Sequence, residues 1–324
     1  MRIKILSGEI NWSNSNKKSL FSSTFICISL FFNLTFTKLL GQQTFSYTQY
    51  MNHPLPLNMA TSLQDPDGSL NLIARRQWVG INGAPATFFI DGSLPIKSLN
   101  GSAGIIAQND KYGPESLTEF NAFYAQSVKL GENQTLGLSL NCGLKSYIAN
   151  YTSLNPLDPD LGPNINENKP NLGFSILYFS KLLYLGISVP QLTIRNLGNA
   201  SIKDNNYFRN NYFFMGGLDL KVVNGIQFKP ATLLSYTRGV PMIADFSGMF
   251  LFSNALGAGL NYRTNNETAI IVTTDFNLFE VGYSYQFGLL SESLGRFTVP
   301  TQEITINFRL GKRKFDLEKL KRIF

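Results

Sequence analysis

The side chains that most often carry chemistry are scarce in this chain. His53, within Tyr50-Met51-Asn52-His53-Pro54, is the one histidine among 324 residues. A histidine-based metal cluster therefore has too few ligands, and a catalytic triad would have no second histidine to choose from. No Gly-x-Ser-x-Gly elbow occurs, and Gly257-Ala258-Gly259 is not followed by a helical pattern, so it reads as strand packing rather than a phosphate cradle. Asp158, Asp160 and Glu167 fall in a long proline-containing connection and lack the regular ligand spacing of a calcium loop. Arg75, Arg76, Asp91 and Asp245 lie in strand-like stretches, where they would line a polar interior or pair across it. Cys27 and Cys142 give no structural disulfide. These residues predict no enzyme, cofactor or metal.

The formal charge of +7 is localised. Residues 1–41 hold five Lys/Arg against one acid, and residues 311–324 hold six against two. The 269 residues between them carry 17 basic and 18 acidic side chains, so the body has no cationic field and nucleic acid is not an expected partner.

Lys17 and Lys18 precede an apolar run from Leu20 to Phe36, which ends near Leu39-Leu40-Gly41. A positive flank, an apolar middle and a small residue at the boundary predict a secretory signal peptide over 1–41. Beyond residue 41 no run of 18 apolar residues occurs, so any membrane crossing must be made by strands.

Period-2 alternation recurs along the rest of the chain. Leu136, Leu138, Leu140, Cys142 and Leu144 alternate with Gly137, Ser139, Asn141, Gly143 and Lys145. Phe279, Val281, Tyr283, Tyr285 and Phe287 alternate with Glu280, Gly282, Ser284, Gln286 and Gly288. Fourteen such segments are expected, at 69–78, 85–94, 100–109, 118–130, 134–146, 171–180, 182–190, 211–223, 225–237, 242–252, 255–264, 268–276, 279–288 and 301–310. Their length, roughly 9–12 residues, suits tilted transmembrane strands, where soluble strands average about five or six. Their second face is small or polar, as a wet lumen requires.

The connections sort by parity. Even-numbered ones are short, whereas the long ones, 147–170, 191–210 and 289–300, are all odd-numbered. Outer-membrane barrels combine an even strand count with short periplasmic turns and long outer loops. The prediction is an all-β, antiparallel up-and-down transmembrane barrel of about 14 strands over 69–310, with both termini periplasmic. Aromatics near strand ends, among them Trp78, Tyr147, Tyr212, Phe213 and Phe250, suit interfacial girdles facing outer-membrane lipid. Pro230 cannot donate to a ladder, so a bulge is expected there. The basic tail 311–324 places Leu317, Leu320 and Phe324 at helical spacing.

Three segments carry a resemblance: 49–58 (Gln-Tyr-Met-Asn-His-Pro-Leu-Pro-Leu-Asn), 76–85 (Arg-Gln-Trp-Val-Gly-Ile-Asn-Gly-Ala-Pro) and 109–114. Tyr184–Pro190, Tyr236–Pro241 and Val281–Tyr285 continue it in the same order. Together they make the chain similar, over roughly 42–310, to the PorP/SprF family of Bacteroidetes type IX secretion and gliding machinery. His53 and the basic tail depart from the family pattern. The resemblance implies an outer-membrane component that assists secretion or surface attachment of a cargo, such as an adhesin with a C-terminal sorting domain. It also implies partners in the periplasmic ring and carries over no catalytic residue. A channel for a small or hydrophobic ligand is the alternative expectation.

The segment 42–68 is too rich in proline and asparagine for a barrel wall, so it must lie in the periplasm or plug the lumen. Its apolar side chains need burial, which favours a plug. Tyr50, Met51, His53, Pro54 and Leu57, with Trp78, Gly80 and Pro85 of the following turn, are the candidate partner or plug residues.

Overall fold

The computed structural model describes residues 47–153, 163–193, 209–223, 225–252, 255–276, 278–288 and 300–311. The expected signal peptide, the basic tail beyond Gly311, Asp158 and Asp160 lie outside these described residues.

Fourteen antiparallel wall strands close on themselves. They are β1 (Ser69–Arg76), β2 (Ala86–Ile96), β3 (Gly101–Tyr112), β4 (Glu115–Gly131), β5 (Gln134–Ala149), β6 (Ile165–Ser180) and β7 (Leu183–Thr193). The wall continues with β8 (Asn211–Leu218, resumed at Leu220–Val223), β9 (Ile226–Thr237), β10 (Ile243–Phe252), β11 (Leu256–Arg263), β12 (Glu267–Asp275), β13 (Phe279–Gly288) and β14 (Thr301–Arg309). Each strand pairs with its neighbour in sequence, and β1 pairs with β14 from Ser69↔Arg309 to Arg76↔Gln302, leaving no edge. Closure is what lets strands cross a bilayer, because every ladder group then has a partner.

The alternation places apolar side chains outside and polar ones inside. Along β5, Leu140 is 71% exposed and Leu144 63%, whereas Ser139, Asn141 and Lys145, which alternate with them, are buried. Surface exposure of this kind is costly in water and favourable in hydrocarbon. Arg75 and Arg76 part company for the same reason: Arg75 is buried within the barrel and Arg76 lies on the outside.

Several boundaries differ from the sequence expectation. β5 runs on to Ala149 and β6 begins at Ile165, so the connection expected over 147–170 shrinks to 150–164. Glu167 is therefore a wall residue paired with Tyr147, and Pro170 is paired with Leu144. Pro230 produces no bulge: it stays in register opposite Gly248, and the ladder to β8 merely lapses around Asp219. The register shift comes instead between Ile226 and Gln227, with another between Ser188 and Gln191, spanning Pro190. Tyr147 and Phe213, expected in a girdle, are buried inside the barrel.

Candidate functional site

The lumen is occupied by the chain's own segment 47–64. Its backbone turns tightly, with Asn52 and His53 N–H donating to Gln49 O, and Leu57 and Asn58 N–H donating to Pro54 O. Pro54 and Pro56 fix φ and remove two donors from a region where unpaired donors are costly. Asn58 then caps a 3-10 helix, Met59–Gln64, by accepting from Ala60 N–H at 3.1 Å. The chain leaves through 65–68 into β1.

Two kinds of contact hold this plug. The first is a hydrophobic core shared with the wall. Tyr47, Tyr50, Leu55, Leu57 and Met59 pack with Ile73, Phe89, Ile106, Phe123, Phe213, Met215 and Leu233. Burying each large apolar side chain contributes about 1.5–3 kcal/mol. The second is a set of polar anchors. The Glu303 carboxylate accepts from the backbone N–H groups of Thr48 at 2.9 Å and Gln49 at 3.0 Å. Thr305 donates its hydroxyl to Gln49 Oε1 at 3.0 Å, Tyr50 donates to Ala231 O at 3.0 Å, and Asn58 donates to Ile176 O at 3.1 Å.

Wall glycines make room for these anchors. A Cβ at Gly186 would stand 2.7 Å from Asn58 Nδ2, and one at Gly282 would overlap both Gln49 Oε1 and Thr305 Oγ1. At Gly137 it would stand 2.7 Å from Leu63 Cδ1.

Around the plug runs a belt of buried charge. Arg263 Nε donates to Asp245 at 2.8 Å and Nη1 to Glu267 at 3.3 Å; Gln286 donates to Glu267 and accepts from Arg75 at 3.3 Å. Arg75 stands opposite Glu303 in the register, so the belt reaches the plug's anchor. A second network on the facing wall joins Lys145, Glu119, Asn171, Asn121 and Gln191. Alternating signs let these ions share a low-dielectric interior that would reject them singly.

Tyr50, Met51, His53, Pro54 and Leu57 are thus brought together. His53 is fully enclosed, its backbone carbonyl takes the Tyr47 hydroxyl, and its Nδ1 has no hydrogen-bond partner. Burial lowers the imidazole to about 4, against a weaker opposing bond from Asn71, so it is neutral at physiological pH. Burial raises the Tyr47 and Tyr50 hydroxyls, which stay protonated.

Trp78, Gly80 and Pro85 are elsewhere. They form the rim loop between β1 and β2, closed by Gln77 N–H to Pro85 O at 2.9 Å and tied to Pro300 by Val79 N–H at 3.1 Å. Trp78 is half-exposed with φ 47°, a conformation a tryptophan holds only under constraint.

Sequence reasoning missed Glu303 and the lumenal apolar residues. The signal was present: Phe88-Phe89-Ile90, Ile105-Ile106, Phe213-Phe214-Met215 and Leu233-Leu234 break the alternation, because Phe89, Ile106, Phe213, Met215 and Leu233 face the plug while their apolar neighbours face outward.

Residues 39–308 match a family described as the type IX secretion system membrane protein PorP/SprF. The chain belongs to the PorP/SprF family. As a family member with this closed barrel, it is an outer-membrane component of type IX secretion, and membership implies that its partners lie within that machinery. Solved structures with similar folds include the CymD monoaromatic hydrocarbon channel, at 11% identity and TM-score 0.47, covering 85% of this chain and 96% of that one. The Pseudomonas putida toluene transporter TodX is similar at 12% identity and TM-score 0.44, covering 79% and 91%. No curated protein matches the sequence significantly.

Proposed function

We propose that this PorP/SprF protein is a non-enzymatic accessory of type IX secretion, which assists export or surface attachment of a specific cargo with a C-terminal sorting domain. In this reading its mature chain begins near Gln42, its long connections face outward, and its termini meet the periplasmic ring. The observation that carries the reading is the extent of the family match, 39–308, which takes in the plug together with the wall and ends before the basic tail. A free passage for small ligands has less support, because side chains of 47–64 pack against the inner wall from β1 to β9.

The test is deletion of 49–58 from the chromosomal copy. Heat-modifiable gel mobility reports barrel folding, and surface labelling of cargo reports function. The expected result is a folded barrel with impaired cargo display. Normal display from a folded, plug-deleted barrel would remove the segment from the mechanism. Gain of uptake of small solutes, with cargo display intact, would favour a channel.

A further inference from the structure

A feature of the outer wall takes no part in holding the plug. At the end of the barrel that carries the long connections, Arg76, Ala86 and Lys111 stand side by side in register on β1, β2 and β3. One row further in are Ile304, Ala74 and Phe88 on β14, β1 and β2. The alanines leave an open depression of about 400 Å³ between the larger side chains, and all six residues line it.

Both cations face the lipid side of the wall. Among the described residues neither takes part in an ion pair. The nearby acids are engaged elsewhere: Asp110 accepts from the Thr87 hydroxyl at 2.7 Å, Glu303 is buried inside, and Glu115 is taken by Tyr112, Tyr147 and Tyr151. A lone cation on the lipid face is costly at the membrane centre and tolerated near the interface. The strand ends at Arg76 and Lys111 give that position. Two strand spacings separate them, roughly 10 Å. Long basic side chains reaching over that distance from opposite sides of a small-residue gap make a clamp for anionic groups.

We propose that this depression binds the headgroup of a phosphorylated glycolipid of the outer leaflet. Arg76 takes a phosphate through its planar guanidinium and Lys111 adds a second charge. The acyl methylenes beneath the sugar lie over Ala74, Phe88 and Ile304. The choice of glycolipid over glycerophospholipid rests on the outward orientation given under Proposed function, which cysteine labelling tests separately.

The test uses the mature protein purified in detergent, with binding read by native mass spectrometry. The probes are lipid A, enzymatically dephosphorylated lipid A, phosphatidylglycerol and inorganic phosphate. The wild type is expected to retain lipid A preferentially. Arg76→Gln with Lys111→Gln is expected to weaken that binding at least about tenfold, the effect of one lost charge-assisted contact. Lys181→Gln, at the opposite end, is expected to leave it unchanged. Ala86→Leu fills the depression without altering charge and is expected to weaken binding too, which keeps the idea testable if the double variant does not fold. Equal binding of dephosphorylated lipid A or phosphatidylglycerol would overturn the proposal. So would undiminished binding by a folded double variant, or competition by inorganic phosphate as strong as by lipid A.

Discussion

Replacing Glu303 by glutamine keeps the side chain's shape and removes one of its two acceptor oxygens along with its charge. In the native protein both oxygens are used, by Thr48 N–H at 2.9 Å and Gln49 N–H at 3.0 Å. Glutamine presents one carbonyl oxygen and one NH₂, so one backbone donor keeps a neutral bond and the other faces a second donor. Hydrogen bonds to a charged group contribute about 1.5–3 kcal/mol each, a neutral one about 1, and a buried donor left unpaired costs about 1–3. Taking the lower end of each range, the net loss is about 3 kcal/mol, or roughly a hundredfold in the equilibrium for releasing this end of the plug. Hydrogen exchange of the Thr48 and Gln49 amides reads that equilibrium directly, since both are buried and exchange only on opening. In Glu303→Gln both amides are expected to exchange roughly a hundred times faster. Amides at mid-wall, such as those of β5, should be unaffected. Gly282→Ala attacks the adjacent Thr305–Gln49 side-chain contact without touching charge, because the new Cβ overlaps Gln49 Oε1, and should act in the same direction. Unchanged exchange at 48 and 49 in a folded Glu303→Gln barrel would refute the anchor. Acceleration spread evenly over the wall would show that Glu303 serves barrel stability instead.

His53 gives a pH prediction. Its folded value, about 4, lies below the ordinary 6.5, so the unfolded state binds the extra proton between them. The contribution of neutral His53 is therefore complete above pH 6.5 and is lost as pH falls towards 4, by about 3 kcal/mol in total. Thermal unfolding followed from pH 7.5 to 4 should show a shallower decline for His53→Gln than for the wild type, and parallel curves would contradict this. Orientation is checked by single cysteines in a Cys142→Ala background. An impermeant thiol reagent added to intact cells should label Asn82→Cys and Thr152→Cys, and should label Asn133→Cys only after the outer membrane is permeabilised; the reverse pattern would invert the barrel.

The wall was legible because its determinants are local. A strand with lipid on one side and a wet interior on the other must alternate, and Leu136–Lys145 or Phe279–Gly288 does so without reference to any other residue. Loop parity likewise follows from lengths along the chain, and it carried the strand count and the closed up-and-down order. The plug was legible only as an exclusion: Pro54, Pro56 and Asn58 could not serve in a wall, and Tyr50, Leu55 and Leu57 needed burial somewhere. Trp78, Gly80 and Pro85 were grouped with it by proximity in sequence, but the β1 strand carries them to the rim.

The sequence by itself determined that strands would close into a membrane barrel with polar residues inside, because side-chain period and strand length are properties of consecutive residues. Tertiary structure alone decided what fills that barrel. Glu303 lies 254 positions from Gln49 and meets it only because β14 closes against β1. The same closure gathers Asp245, Arg263, Glu267, Gln286 and Arg75 into one belt. It also decides that Phe89 and Phe213 face an apolar plug instead of lipid. No local pattern encodes these meetings, since which buried ion finds which partner depends on register summed around fourteen strands.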